Sequence, residues 1–83
     1  MNITLRYFAS IREALGVGQE RWQTQAQTVA ELRQELIARD GVYAEVLGST
    51  RALRAALNQE LCEGSAVLQD GCEVAFFPPV TGG

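Results

Sequence analysis

The two cleanest strand patterns in this sequence stand at its opposite ends. A chain of only 83 residues has to bring them into one sheet around one thin core. Over residues 1–8 the side chains alternate, with Ile3, Leu5 and Tyr7 on one face and Thr4, Arg6 and Phe8 on the other, the period of a half-buried strand. Residues 72–77 alternate in the same way, and Pro78-Pro79 stops them because neither proline can donate to a ladder. Between the two ends lies the clearest helix signal. Thr28-Val29-Ala30-Glu31 reads as a capping box, and Val29, Leu32, Leu36 and Ile37 fall on one apolar stripe. Glu35 and Arg39 are spaced as an outward i,i+4 pair, and Gly41 is the expected stop.

The connecting segments are weaker. Ser10-Ile11-Arg12-Glu13 reads as a second capping box, with Ser10 as N-cap of a helix of a turn or two that Gly16 ends. Residues 20–24, which carry Trp22, are polar enough for a sheet edge. Residues 42–50 read as irregular, with a short turn around 43–47. Leu53, Ala55 and Leu57 alternate with Arg54, Ala56 and Asn58 in a further strand, Leu61-Cys62 suggests a very short one, and Asp70-Gly71 reads as a tight turn. The plan is α+β: a mixed sheet of four or five strands with one main helix on one face, formed by residues 1–77 and followed by a flexible tail over 78–83.

Composition narrows the function. The net charge of −3 and the scattered arginines leave no basic face for nucleic acid. No window has the apolar length of a membrane span, and the first residues lack the basic and apolar regions of a signal peptide, so a cytoplasmic location is expected. With no histidine, neither a Ser-His nor a Cys-His nucleophile can be assembled. Cys62 and Cys72 have no zinc-ligand spacing. They read as small buried hydrophobes, with a disulfide between them as the alternative. No metal and no bound cofactor is expected. Lysine is absent, so an activated C-terminus could not acylate the chain's own side-chain amines.

Two features point to chemistry. The first is the ending Pro78-Pro79-Val80-Thr81-Gly82-Gly83. Glycine has no Cβ, so such an end can enter a narrow channel with its carbonyl open to attack. Taken alone, a frayed glycine end is the simpler reading. The second is Phe76-Phe77. Strand neighbours point to opposite faces, so Val74 and Phe76 share one face and Glu73, Ala75 and Phe77 the other. Glu73, Arg6 and Arg54 mark that second face as solvent, which puts Phe8 and Phe77 side by side on the open face of the sheet. An aromatic patch of this kind suits a partner. The alternative is a cover over one of the rings, with Leu61 as the candidate.

Residues 71–83, Gly-Cys-Glu-Val-Ala-Phe-Phe-Pro-Pro-Val-Thr-Gly-Gly, resemble the ending of molybdopterin synthase small subunits, which are ubiquitin-like sulfur carriers. Phe8-Ala9-Ser10-Ile11-Arg12-Glu13 resembles their first strand-to-helix step, and Ala56-Leu57-Asn58-Gln59 their third strand, so the resemblance spans the whole chain. It implies a β-grasp fold, with the first and last strands parallel at the sheet centre, a connection compatible with the crossover rules. It implies that Gly83 is adenylated by an activating enzyme of the ubiquitin-E1 type using ATP and magnesium, and is then converted to a thiocarboxylate. In that scheme Val80, Thr81 and Gly82 enter the large synthase subunit with it, and sulfur passes to a cyclic pyranopterin precursor. Phe8, Arg12, Leu61 and Phe77 would bind the partner, in a heterotetramer of two small and two large subunits. The small subunit is then a carrier, and catalytic side chains belong to its partners. Two other readings remain open here: a Gly-Gly carrier for thiamine, cysteine or tRNA thiolation, and a non-covalent ubiquitin-like module with an inert end.

Overall fold

The structure is a computed structural model that describes residues 1–48 and 52–79. Its elements run β1 (Asn2–Tyr7), α1 (Ala9–Leu15), β2 (Gln19–Gln23), α2 (Val29–Ile37), α3 (Gly41–Leu47), β3 (Arg54–Leu57), β4 (Glu60–Cys62) and β5 (Glu73–Phe77). The five strands form one mixed sheet in the order β2-β1-β5-β3-β4. β1 and β5 are parallel neighbours at its centre, with Leu5 opposite Val74 and Tyr7 opposite Phe76. The other three pairings are antiparallel. This is the β-grasp arrangement, with the helices gathered on one face.

The strand periods set the core. Ile3, Leu5 and Tyr7 from β1 and Val74 and Phe76 from β5 face the helices and are almost wholly buried. Leu32 and Leu36 of α2 and Leu47 of α3 close over them, each fully buried. Thr28 caps α2 as expected, its hydroxyl accepting from the Glu31 N–H at 3.2 Å. The return arm is displaced by one residue, since the Glu31 carboxylate accepts from the Gln27 N–H at 2.9 Å. The polar edge strand is β2, one residue earlier than its sequence pattern indicated. Asp70-Gly71 does turn the chain, with Gly71 at φ 85°.

Four local expectations need correction. Phe8, not Ser10, is the N-cap of α1: β1 stays extended through Phe8, whose N–H reaches the Phe76 carbonyl at 3.3 Å, and its own carbonyl receives the Ile11 and Arg12 N–H groups. Gly16 ends α1 as expected, at φ 78°. Gly41 does not end α2, which stops at Ile37 with Ala38 as C-cap. The chain reverses through Asp40 and Gly41, both at positive φ, and Gly41 opens α3. Residues 41–47 are therefore a helix rather than irregular chain. Arg33 of α2 holds its far end, donating to the Leu47 and Gly48 carbonyls at 2.8 and 2.6 Å, the cationic cap that a helix C-terminus favours. Ser49 and Thr50, the last residues of the stretch expected to be irregular, lie outside the described residues.

The fourth correction concerns Glu35 and Arg39, which do not pair with each other. The helix ends before Arg39, and its guanidinium swings to Glu20 of β2 at 3.2 Å, lying over the Trp22 and Tyr43 rings. Glu35 instead accepts from the Trp22 indole N–H at 2.6 Å. Glu20 also accepts from both the Tyr7 and the Tyr43 hydroxyls, each at 2.9 Å. One carboxylate thus joins the edge strand to the central strand and to α3. Burial, followed by the hydrogen bond to Glu20, pushes the Tyr7 phenol well above its ordinary range, and Tyr43 shifts the same way for the same reasons. A raised phenol pKa stabilises the fold fully below the unfolded value of about 10 and less and less as pH climbs above it. The urea midpoint should therefore fall between about pH 9 and about pH 11, and Tyr7→Phe should make that fall shallower. An equal fall in both proteins would contradict this assignment.

Candidate functional site

The open face of the sheet carries the candidate site, and strand register builds it. Arg6 stands opposite Ala75, Ala75 opposite Ala56, and Ala56 opposite Leu61, one row across β1, β5, β3 and β4. In the next row Arg54 stands opposite Phe77, and Phe8 continues β1 alongside them. The two alanines are short, so taller neighbours shield them, and they are buried although they lie on the solvent side. Around that low floor stand Phe8, 40% exposed, Leu61, 68% exposed, and the half-buried Phe77. The Arg6 guanidinium lies 5.3 Å from the Phe8 ring centroid and 3.9 Å from the Glu73 carboxylate. The result is an apolar depression with aromatic and aliphatic walls and a cationic rim, the composition of an interface anchor rather than of a reaction site.

The structure brings Phe8, Phe77 and Leu61 onto this face. Leu61 stands on the edge strand β4 and is the most exposed large hydrophobic residue of the three. Arg12 is set apart from them. It is exposed on α1 and lies against Gly18 in the connection to β2, where an added Cβ would sit 2.9 Å from its Nε. Sequence reading missed the alanine floor and the place of Arg54 directly beside Phe77. Both follow from the register of β3 on β5, while the two-residue turn at Asn58-Gln59, left-handed at φ 51° and 72°, sets β4 on β3 and so places Leu61 beside Ala56. An Asn at the first of these positions was the available signal.

Beyond Phe77 the chain leaves the sheet centre. Pro78 is half-buried beside Ile11, Ala14, Val46 and Leu53, and Pro79 is exposed. Val80, Thr81, Gly82 and Gly83 lie outside the described residues. Both cysteines are free thiols, Cys72 in the core and Cys62 half-buried on the helix side of β4. Burial and the neighbouring Glu63 carboxylate raise the Cys62 thiol above its ordinary value, which keeps it protonated and weakly nucleophilic. Among the described residues, no group of three or more metal-binding side chains stands together, and no helix is long and apolar enough to cross a membrane.

Comparison with known proteins fixes the family, because the model of the ThiS family matches residues 5–83. The chain belongs to the ThiS family. Among curated relatives, the molybdopterin synthase sulfur carrier subunit of Escherichia coli is 42% identical over 81 residues, 98% of this chain and 99% of that protein. A chain from the protein–protein complex of subunits 1 and 2 of molybdopterin-converting factor from Helicobacter pylori is 30% identical, with a TM-score of 0.69 and full coverage of both chains. SAMP1 from Haloferax volcanii, 22% identical over the full length of both chains at a TM-score of 0.76, shares the fold. Membership in the ThiS family therefore extends over almost all of the chain, with the open face and the Gly-Gly ending both inside the matched region.

The open face has a direct test. Because Phe77 lies on the solvent side of β5, Phe77→Arg should fold with nearly unchanged helix signal and melting, within about 0.5 kcal/mol in stability. If Phe77 were core, an unpaired charge there would unfold so small a domain. Circular dichroism and urea titration distinguish the two outcomes.

Proposed function

We propose that this chain is the sulfur carrier of a molybdopterin synthase, and that its working atom is the carboxyl carbon of Gly83. The observation that carries the proposal is one of placement. β5 runs through the sheet centre and ends at Phe77, beside the apolar depression, so a partner docked on that depression lies next to the start of the tail. The naming of the E. coli relative as a sulfur carrier subunit, at 42% identity over nearly the whole chain, supports the same reading. The H. pylori complex of subunits 1 and 2 supports a large synthase subunit as that partner.

In this reading residues 1–77 are the folded carrier and residues 78–83 the delivery arm. Six extended residues span roughly 20 Å at about 3.3 Å each, enough to reach into a partner's pocket. Pro78-Pro79 stiffens the exit, and Gly82-Gly83 keeps the tip narrow. A carboxylate is a poor electrophile until it bears a leaving group. The E1-like enzyme, using ATP and magnesium, joins AMP to the Gly83 carboxylate and releases pyrophosphate. Sulfide released by a sulfur donor attacks the acyl carbon and gives up its proton, AMP departs, and a thiocarboxylate remains. Inside the large subunit the soft sulfur passes to the pyranopterin precursor, and water restores the carboxylate. Phe8, Leu61 and Phe77 seat the large subunit, and Arg12, set apart on α1, supplies a separate cationic contact. The assembly is a cytoplasmic heterotetramer of two small and two large chains. This chain holds no cofactor of its own and performs no catalysis alone.

One added residue tests the mechanism. Placing an alanine after Gly83 leaves core and open face untouched, moves the carboxylate by about 3.5 Å and sets a methyl group beside it. Misplacement of ~1 Å can cost about a hundredfold where reacting groups are held in line. The extended chain should fold and should still bind the large subunit. It should gain no oxygen-to-sulfur mass change with activating enzyme, ATP and a sulfur source, and it should not support molybdopterin synthesis. Thiolation and activity at the normal rate, without trimming back to Gly83, would replace the carrier reading with that of an inert-ended module.

A further inference from the structure

The free edge of β4 is shaped to accept a strand. β3 and β4 are joined by the two-residue turn at Asn58-Gln59, so Leu57 and Glu60 close the hairpin. Hydrogen-bonded and non-bonded pairs alternate along an antiparallel ladder. Ala55 and Cys62 are therefore a bonded pair, and Ala56 and Leu61 are not. The opposite side of β3 shows the same alternation: the Asn58 N–H donates to the Glu73 carbonyl at 2.8 Å, which turns Ala56 toward β5. The N–H and C=O of Leu61 consequently point away from the sheet, under a side chain that is 68% exposed.

Beneath this edge the core is incomplete. An open groove of about 390 Å³ runs between α2 and β4, lined by the apolar Val29, Leu53, Cys62 and Phe76 and, at its polar margin, by Arg33 and Arg54. A strand added to β4 would place the residue opposite Leu61 on the open face and its two neighbours over the groove, since side chains alternate. The edge is also acidic, because exposed Glu60 and Glu63 flank Leu61 and Cys62. A basic strand is attracted to this acidic edge, whereas a second copy would bring an equally acidic one. Finally, Leu61 belongs to the same row as Ala56, Ala75 and Arg6, so the edge is continuous with the docking depression.

We propose that β4 takes up one extended strand of the large subunit, which continues the sheet to a sixth strand. This inference rests on the docking reading above. The strand has an apolar residue opposite Leu61, an aliphatic neighbour that fills the groove, and arginine or lysine facing Glu60 or Glu63. Its main-chain bonds to Leu61 fix the orientation of the partner relative to the tail, which the side chains of a shallow depression alone would leave loose.

The test compares the free chain with its complex with the large subunit. Amide exchange of isotope-labelled wild-type chain should show the Leu61 N–H slowing by about a hundredfold or more on complex formation. Leu61→Pro removes only an outward-facing donor from an edge strand, a position where proline is tolerated. It should weaken binding about tenfold or more beyond Leu61→Ala, which isolates the side-chain loss. Unchanged exchange at Leu61 in a formed complex overturns the strand, as does equal affinity of the two variants; docking through Phe8 and Phe77 survives either result. If the proline variant does not fold, the wild-type exchange alone decides. Protection of Leu61 in a self-associated free chain would overturn the proposal in favour of a second copy. Failure of the wild-type chains to associate would remove the docking reading and this inference together.

Discussion

The parallel pairing of β1 with β5 is the constraint on which the rest depends. It joins residues near opposite ends of the sequence, Thr4 with Glu73 through Tyr7 with Phe76. Parallel neighbours cannot be joined by a tight turn, so the chain between them has to cross over one face of the sheet, and the helices on that crossing supply its cover. Leu32, Leu36 and Leu47 do this from the helix side. The helices of the described residues gather on that one side, and the other side of both strands is the open face.

That unpaired side is where fold and function meet. A small domain buries little apolar surface and has little stability to spare, yet this one leaves Phe8 and Leu61 exposed on a shared face. The alanines at 56 and 75 lower the centre of the face without placing more large apolar side chains in water. The central position of β5 then has a further consequence. The strand that anchors the core also leads into the Gly-Gly ending, so that ending starts from the buried centre of the sheet, beside the surface on which a partner would sit.

Much of this was legible in the residues, and the failures share a cause. The period of two in β1 and β5, with Glu73 and Arg6 marking solvent, was enough to put Phe8 and Phe77 on one face. Thr28 and Glu31 announced α2, and Gly16 and Gly71 fell at turns that require positive φ. Ser10, Gly41 and the Glu35–Arg39 spacing misled because each was read from its own segment. Tertiary partners decided them: Phe76 draws β1 on through Phe8, and Glu20 and Trp22 take Arg39 and Glu35 apart. Short α3 was missed because a seven-residue helix is held by Arg33 and by core contacts through Leu47, not by local propensity. The alanine floor was invisible until the register of β3 on β5 was known.

The central claim is that this domain exists to carry sulfur on the carboxyl carbon of Gly83. The most direct measurement is the intact mass of the chain purified from cells that contain the E1-like activating enzyme and from cells that lack it. The account predicts a fraction heavier by one oxygen-to-sulfur exchange, located on the C-terminal glycine and present only with the activating enzyme. A single unmodified mass in both, from cells actively making molybdopterin, would contradict it.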